Sequence, residues 1–292
     1  MRGINRSDVS APAGATFPQL SYSLPTSQDR PAPRGLDRMP RQTESYTRRL
    51  AAELKSNPPR RKGERTRRRL ELAAARVLER NGFHGLRVAD ITSAADASDG
   101  SFYIYFRDKK EITLSVLEAF LTSSPLAVGS GGAGYGGPFG AIREANLLWI
   151  RHVRANAGLM RCVFQVSDED TEFGRLVHST NRTWYERVAR SVVRNHPGAA
   201  VEPDAALFAA WTLGGMTDEL LRRIVVYPDP NLVGFLGDTA TDDEALATAI
   251  AVIWYRVLYP GWPLPDDLGG LALDVAGFGE SVKPDRRSAA GD

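Results

Sequence analysis

The chain has 292 residues, of which 42% are hydrophobic and 25% charged, and its formal net charge is only +2. That composition fits a soluble globular protein with room for more than one unit of roughly 100–200 residues. It excludes a polycation, so any affinity for nucleic acid must come from locally clustered charge.

Residues 1–57 read as a disordered N-terminal tail. Pro12, Pro18, Pro25, Pro31, Pro33 and Pro40 are scattered among Ser, Arg, Gln and Gly, and such a segment buries too little apolar surface to offset its ordering entropy. Within it, SYTRRLAAELKS (45–56) has a short helical pattern that Pro58-Pro59 would stop. The tail is either inert or a basic arm, since Arg60, Arg61 and Lys62 follow it directly. Arg2 and Arg6 precede no apolar stretch, so no secretory leader is expected. No run of about 18 apolar residues predicts a membrane span, and a cytoplasmic location fits.

The first strong helix is expected over 64–80, where Leu70, Ala73, Ala74, Val77 and Leu78 recur at helical spacing. Asn81-Gly82 ends it, with Gly82 suited to a helix C-cap. A second helix covers about 88–95 with Val88, Ile91 and Ala95 inward, followed by a tight turn at Asp96-Ala97. Ser98 is a good N-cap for a third short helix to about Tyr105. Asp108 to Glu111 has capping-box form for a fourth, carrying Ile112, Val116, Leu117 and Phe120 on one side. The Gly-rich stretch 122–138 reads as a mobile loop. Further helices are expected over 139–155, 158–166, 170–195, 203–226 and 242–258, and a loose tail over 260–292. The predicted fold class is all-α: an N-terminal helix-turn-helix domain (58–110) and a C-terminal helical domain (111–259).

Three short helices in about 50 residues suggest a helix-turn-helix with a supporting first helix. A basic run (Arg60, Arg61, Lys62, Arg65, Arg67, Arg68, Arg69) leads into it; neutralising phosphates would release counterions and make binding salt-dependent. The same run could simply be a solvated face. Phe102 and Phe106, four apart, share an inward face. Ser98, Asp99 and Tyr103 then face away, and Gly100 lets the backbone approach a phosphate. Tyr103 and Tyr105 offer phenol donors, or else serve as half-buried rings.

The string 67–120, from RRRLELAAARVLERNGF through VADI to SDGSFYIYFRDKK, resembles the TetR/AcrR family of bacterial transcription regulators. The resemblance implies DNA binding through Arg65, Arg87, Val88, Ser98, Asp99, Gly100, Ser101, Tyr103, Tyr105 and Lys109. Two departures stand out: Asp96 occupies a turn position where Gly is common, and Arg87 replaces the usual Thr or Ser before the second helix. Asp tolerates the left-handed conformation, and Arg87 brings a cation to a phosphate or a guanine edge. Asp99 is able to accept from cytosine N4.

By the same resemblance, the later helices would enclose a cavity for a hydrophobic small molecule and form a homodimer that reads a palindromic operator, the ligand releasing a repressor from DNA. Trp149, His152, Phe164, Phe173, Trp184 and Tyr185 are the candidate ligand-binding residues; Leu207, Trp211, Gly214, Gly215, Ile250 and Trp254 are candidates for the dimer interface. Both sets have an ordinary reading as core. Control by a protein partner or by abundance is the alternative to a small molecule. Cys162, the single cysteine, is either an oxidant sensor or an inert buried thiol, and it forms no CxxC metal site. No GxSxG, HExxH or phosphate loop occurs, so neither enzymatic activity nor a cofactor or metal is expected.

Overall fold

Capping chemistry sets the ends of the first helices. A computed structural model describes residues 45–124, 136–196 and 201–278. It places α1 at Tyr46–Ser56, α2 at Lys62–Asn81, α3 at Val88–Ala95, α4 at Asp99–Tyr105 and α5 at Lys109–Thr122. Ser45, Ser98 and Asp108 each accept a backbone N–H of the first turn that follows, at the heads of α1, α4 and α5. Asp96 closes α3 in the left-handed conformation at φ 49°, as its residue type allows.

The second half comprises α6 (Pro138–Ala155), α7 (Ala157–Glu169), α8 (Thr171–Asn195) and α9 (Pro203–Leu221), which runs into a π-helical turn at Arg222–Val226. Then come α10 (Pro230–Leu236), α11 (Asp243–Leu258) and α12 (Gly270–Ala276). Among the described residues there is no strand, so the fold is all-α as expected. Among the described residues no helix is long and apolar enough to cross a membrane.

One apolar core runs through both halves. Leu70, Ala74, Leu78, Ile91, Phe102, Phe106, Ile112 and Leu117 fill the space between α2, α3, α4 and α5. It continues through Phe120 into Ile150, Leu159, Val163 and Trp254. One close helix approach lies between the halves. A Cβ on Gly158 of α7 would stand 2.0 Å from the Glu79 carbonyl oxygen of α2, a distance only glycine permits.

Two tail boundaries require correction. Residues 45–57 are not disordered: α1 is docked, with Tyr46 and Leu50 buried. The Tyr46 N–H donates to Asn156 Oδ1 at 2.7 Å, Thr47 Oγ1 donates to Glu79 Oε2 at 3.0 Å, and Arg49 donates to Ser123. The Tyr46 ring meets Phe120 edge-on at 5.5 Å. The amphipathic pattern was legible; its partners, distant in sequence, were not. Likewise 260–278 is not a loose tail, because α12 lays Ala272 and Ala276 against Ala249 and Val252 of α11. The expectations for residues 1–44, for most of the Gly-rich stretch (125–135), for the break at Pro197-Gly198 and for 279–292 fall outside the described residues.

Candidate nucleic-acid interface

The recognition segment is built on a locked turn. Arg69 of α2 donates to the Ala95 carbonyl at 2.5 Å, at the C-terminus of α3. Thr92 of α3 donates to Asp99 Oδ1 at 2.7 Å. These two bonds fix α4 relative to α3 and α2. Phe102 and Phe106 are fully buried beneath it, so the opposite face points to solvent. That face carries Tyr103, 59% exposed, and Ile104, 76% exposed.

The candidate DNA contacts divide by what already holds them. Ser98 and Ser101 hydroxyls bond each other at 3.0 Å, and Ser98 caps α4. Asp99 is exposed but spends one oxygen on Thr92, so its first role is bracing. Gly100 is open, with nothing nearer than 3.9 Å to a Cβ placed there. Val88 is partly buried against the core. Tyr105 turns away from Tyr103, its phenol reaching Gly63 in the first turn of α2. Lys109 Nζ donates to the Leu86 carbonyl at 3.3 Å and lies 5.5 Å from the Phe83 ring centre; an ammonium has three donors, which leaves capacity for a phosphate.

The basic run is sorted in the same way. Glu71, itself buried, holds Arg67 and Arg68, and Arg69 braces the turn. These three cations are structural. Arg65 is exposed, with Nε on the Pro59 carbonyl at 3.3 Å. Arg87 is exposed at the head of α3; its carbonyl accepts from the Asp90 and Ile91 N–H groups, while its guanidinium has no ion-pair or hydrogen-bond partner among the described residues. Sequence reasoning missed Ile104. Its signal was an apolar side chain between two tyrosines on the outward side of a helix whose inward positions were already assigned; such a side chain suits a thymine methyl.

Beyond the helix-turn-helix, the candidate ligand-binding residues are only partly gathered. A cavity of about 220 Å³ lies between α6, α8 and α11, with Trp184 in its wall. A chamber of about 20 Å³ adjoins it, sharing Ala145, Asn146, Trp184 and Trp254 and adding Trp149, Tyr185 and Asp218. His152, Phe164 and Phe173 line neither space. Phe173 is buried and Phe164 packs partly buried on the core.

Asp218, unremarked in the sequence, accepts from Trp149 Nε1 at 2.9 Å and from the Tyr185 hydroxyl. Burial raises its carboxyl to about 6, and burial and Asp218 raise the Tyr185 phenol. His152 is stacked between Phe120 and Trp149 at ring separations of 5.1 and 5.4 Å, and its Nε2 has no hydrogen-bond partner among the described residues. Burial, reinforced by Arg49, pushes its imidazole down to about 4. Cys162 is buried, with Sγ on the Leu78 carbonyl, and burial lifts its thiol to about 11; this is the inert reading.

His152 and Asp218 act on stability in opposite senses. A histidine lowered from 6.5 to about 4 leaves the unfolded chain binding more protons below pH 6.5, so stability falls on acidification, by about 2 kcal/mol between pH 7 and 5. A carboxyl raised from 3.8 to about 6 contributes stability present below 3.8 and lost as pH rises through 6, so acidification over the same interval returns about 1 kcal/mol. Urea unfolding of Asp218→Asn should therefore show a steeper loss of stability from pH 7 to 5 than the parent. His152→Phe should show the reverse. Identical slopes in all three would refute this assignment.

Three of the proposed dimer residues have no surface left for a partner. Ile250 and Trp254 are each 2% exposed, and Trp254 Nε1 donates to Thr217 at 3.0 Å. Gly214 is covered by Tyr185, whose ring would lie 2.1 Å from a Cβ there. All three are intramolecular core. Leu207 is half-buried, while Trp211 and Gly215 remain exposed, alongside Phe208 and Met216, which the sequence reading omitted.

Helices α2, α3 and α4, with a left-handed turn before a short outward-facing third helix, constitute a helix-turn-helix. Residues 72–116 match the model of the bacterial regulatory proteins, tetR family. This match is confined to the helix-turn-helix and the first part of α5. It is 33% identical over 92 residues to the HTH-type transcriptional repressor NicS of Pseudomonas putida, covering 31% of this chain and 43% of that protein. It is 37% identical over 46 residues to the fatty acid metabolism regulator protein of Bacillus subtilis, covering 16% of this chain and 24% of that one. The matches thus span less than half of either curated relative. Among solved structures, Salmonella enterica GusR aligns with TM-score 0.49 at 20% identity, over 70% of this chain and 98% of that one.

Proposed function

We propose that this chain is a transcriptional regulator, acting as a repressor, that binds a palindromic operator as a homodimer and is released by a small molecule held in its C-terminal helices. The observation that carries the reading is the outward face of α4. Tyr103 and Ile104 stand exposed on a helix locked from behind, with the free Arg87 guanidinium at the head of the neighbouring α3. Exposed aromatic and aliphatic side chains cost solubility unless they serve a contact, and this geometry suits the floor of a major groove with phosphates at its edge.

The test is a gel-shift titration on the chain's own promoter at several salt concentrations. Each phosphate contact contributes about 0.9 to the slope of log K against log salt. Arg87→Ala should reduce the slope by about 2 for a symmetric pair, one contact per protomer. An unchanged slope would remove Arg87 from the interface.

A second copy is the partner proposed for α9. Phe208, Trp211, Gly215 and Met216 follow one another at helical spacing along its exposed face. One helix-turn-helix reads only a half-site, and two-fold symmetry doubles it. Sedimentation at micromolar concentration should find the parent dimeric and Phe208→Asp shifted to monomer with its helicity intact. A parent that is monomeric, or a variant that stays dimeric, would rule out this face.

For the small molecule, support comes from the cavity between α6, α8 and α11. Helix α5 carries Lys109 at one end and Phe120, stacked on His152, near the other. It therefore joins the recognition unit to the ligand-holding layer and is the lever through which occupancy would shift the spacing of the paired recognition helices.

A further inference from the structure

We infer that the small chamber at Asp218 is the head-group site for a primary ammonium ligand, an amine whose short apolar body lies in the adjoining cavity between α6, α8 and α11. The inference rests on the ligand-responsive reading and narrows it to one chemical class.

Aromatic rings and one carboxylate define the chamber. Trp149, Trp184, Tyr185 and Trp254 line it together with Asp218, in a volume of about 20 Å³. Trp184 meets Tyr185 at 5.3 Å and Trp254 at 5.8 Å, both edge-on. The indole and hydroxyl donors are spent inside the protein. The Trp149 indole and the Tyr185 hydroxyl donate to Asp218, the Trp254 indole to Thr217, and the Thr217 hydroxyl to the Leu213 carbonyl. Asn146 Nδ2 donates to the Ile142 carbonyl at 2.9 Å and keeps its amide oxygen as an acceptor. A carboxylate has about four lone-pair sites, so Asp218 can accept more than Trp149 and Tyr185 supply. The chamber is thus rich in acceptors and suits a donor.

A purely structural bracket between Trp149 and Tyr185 would not need a charge. A neutral amide would accept both bonds and avoid the cost of a buried carboxylate. Among the described residues no Lys, Arg or His acts on the Asp218 carboxyl. Arg187 and Arg194 line the outer cavity and not the chamber, and Arg187 has an interaction of its own within the protein. At about 6, the Asp218 carboxyl is mostly ionised at neutral pH. An ammonium supplies the counter-charge, and the surrounding indole and phenol faces attract it as well. A carboxylate ligand would meet a like charge, and a hydroxyl would leave the charge uncompensated. A space of about 20 Å³ holds one group the size of a water molecule; it admits a primary ammonium and excludes a trimethylammonium. The outer cavity of about 220 Å³ is below the roughly 300–1,000 Å³ usual for drug-sized ligands, so the apolar body is a single ring or a short chain.

The test is calorimetric titration of the full chain at neutral pH, without DNA, using two skeletons with three head groups each: hexylamine, hexan-1-ol and hexanoate, and 2-phenylethylamine, 2-phenylethanol and phenylacetate. In at least one skeleton the amine should bind at least about tenfold more tightly than its alcohol and its acid. Trimethylation of that amine should weaken it by about tenfold or more, and so should Asp218→Asn. Asp204→Asn, exposed on the same helix outside the chamber, should leave it unchanged. The head-group series needs no variant, so it decides the matter even where Asp218→Asn unfolds. Equal or tighter binding of an alcohol or acid, no binding of either amine, full affinity of the trimethylated form, or full affinity in a folded Asp218→Asn would overturn the inference. Because the readout contains no DNA, its failure is distinct from that of the regulatory reading, which the promoter titration decides.

Discussion

Replacing Tyr103 and Lys109 together by alanine should lower operator affinity by on the order of 10³-fold. A symmetric pair would lose four contacts, each with a net worth of about 1 kcal/mol. Tyr103 projects from α4 with 59% of its surface exposed, and among the described residues its ring makes only an edge contact with Phe102 at 5.3 Å. Its removal should therefore leave the fold untouched. Lys109 also caps the Leu86 carbonyl, so a modest fall in Tm, of a few degrees, is expected from that substitution. Fluorescence anisotropy with a labelled promoter fragment, alongside Tm, separates the two effects. The double variant should fail on DNA while remaining folded and dimeric.

Gly158→Ala should be the most damaging single methyl group in the chain. The added carbon would lie 2.0 Å from the Glu79 carbonyl oxygen, 2.7 Å from its carbon and 2.8 Å from its Cα. These are backbone atoms in the middle of the last turns of α2, and no rotamer change can relieve them. Helix α7 must retreat from α2, opening the core around Leu78, Leu159 and Cys162. Overpacking costs 1–3 kcal/mol in a well-filled core; with backbone on both sides, about 3 kcal/mol is expected, or roughly 6–12 °C in Tm for a chain of this size. Gly234→Ala is the contrast. Nothing lies within 4 Å of a Cβ there, so the change should be neutral or gain up to about 1 kcal/mol from helix propensity. Equal melting curves for the two variants would show that α2 and α7 do not meet as described.

What could be read from the amino acids alone was what neighbours in sequence decide. Ser98 and Asp108 cap the helices they precede, Asp96 takes the left-handed turn, and the four-residue spacing of Phe102 and Phe106 sets the inward face. The helix-turn-helix was legible for this reason. Roles that depend on distant partners were not. Asp99 offered a free acceptor in the sequence, yet it bonds Thr92; the basic run of Arg67, Arg68 and Arg69 was open to phosphate contact or to a solvated face, yet Glu71 and the α3 carbonyls claim it. Trp254 and Ile250 show the same limit. An apolar stripe reports that a helix face is covered, but not whether its own chain or a second copy covers it. Here α6 and α12 flank α11 and cover all but Val257 of its large apolar side chains, whereas α9 leaves Phe208, Trp211 and Met216 exposed. Asp218 passed unnoticed because a lone acidic residue in a helix resembles any solvated one until Trp149 and Tyr185 are seen to converge on it.

The central claim is that the outward face of α4 lies in a duplex groove, twice per assembly. Hydroxyl-radical footprinting of the promoter region with the full chain tests it most directly. The account predicts two protected stretches related by two-fold symmetry, their centres one helical turn or a multiple apart, at about 34–36 Å per turn, and the loss of both with Tyr103→Ala. Protection that persists unchanged in that variant, or a parent protein that protects no part of the promoter, would contradict it.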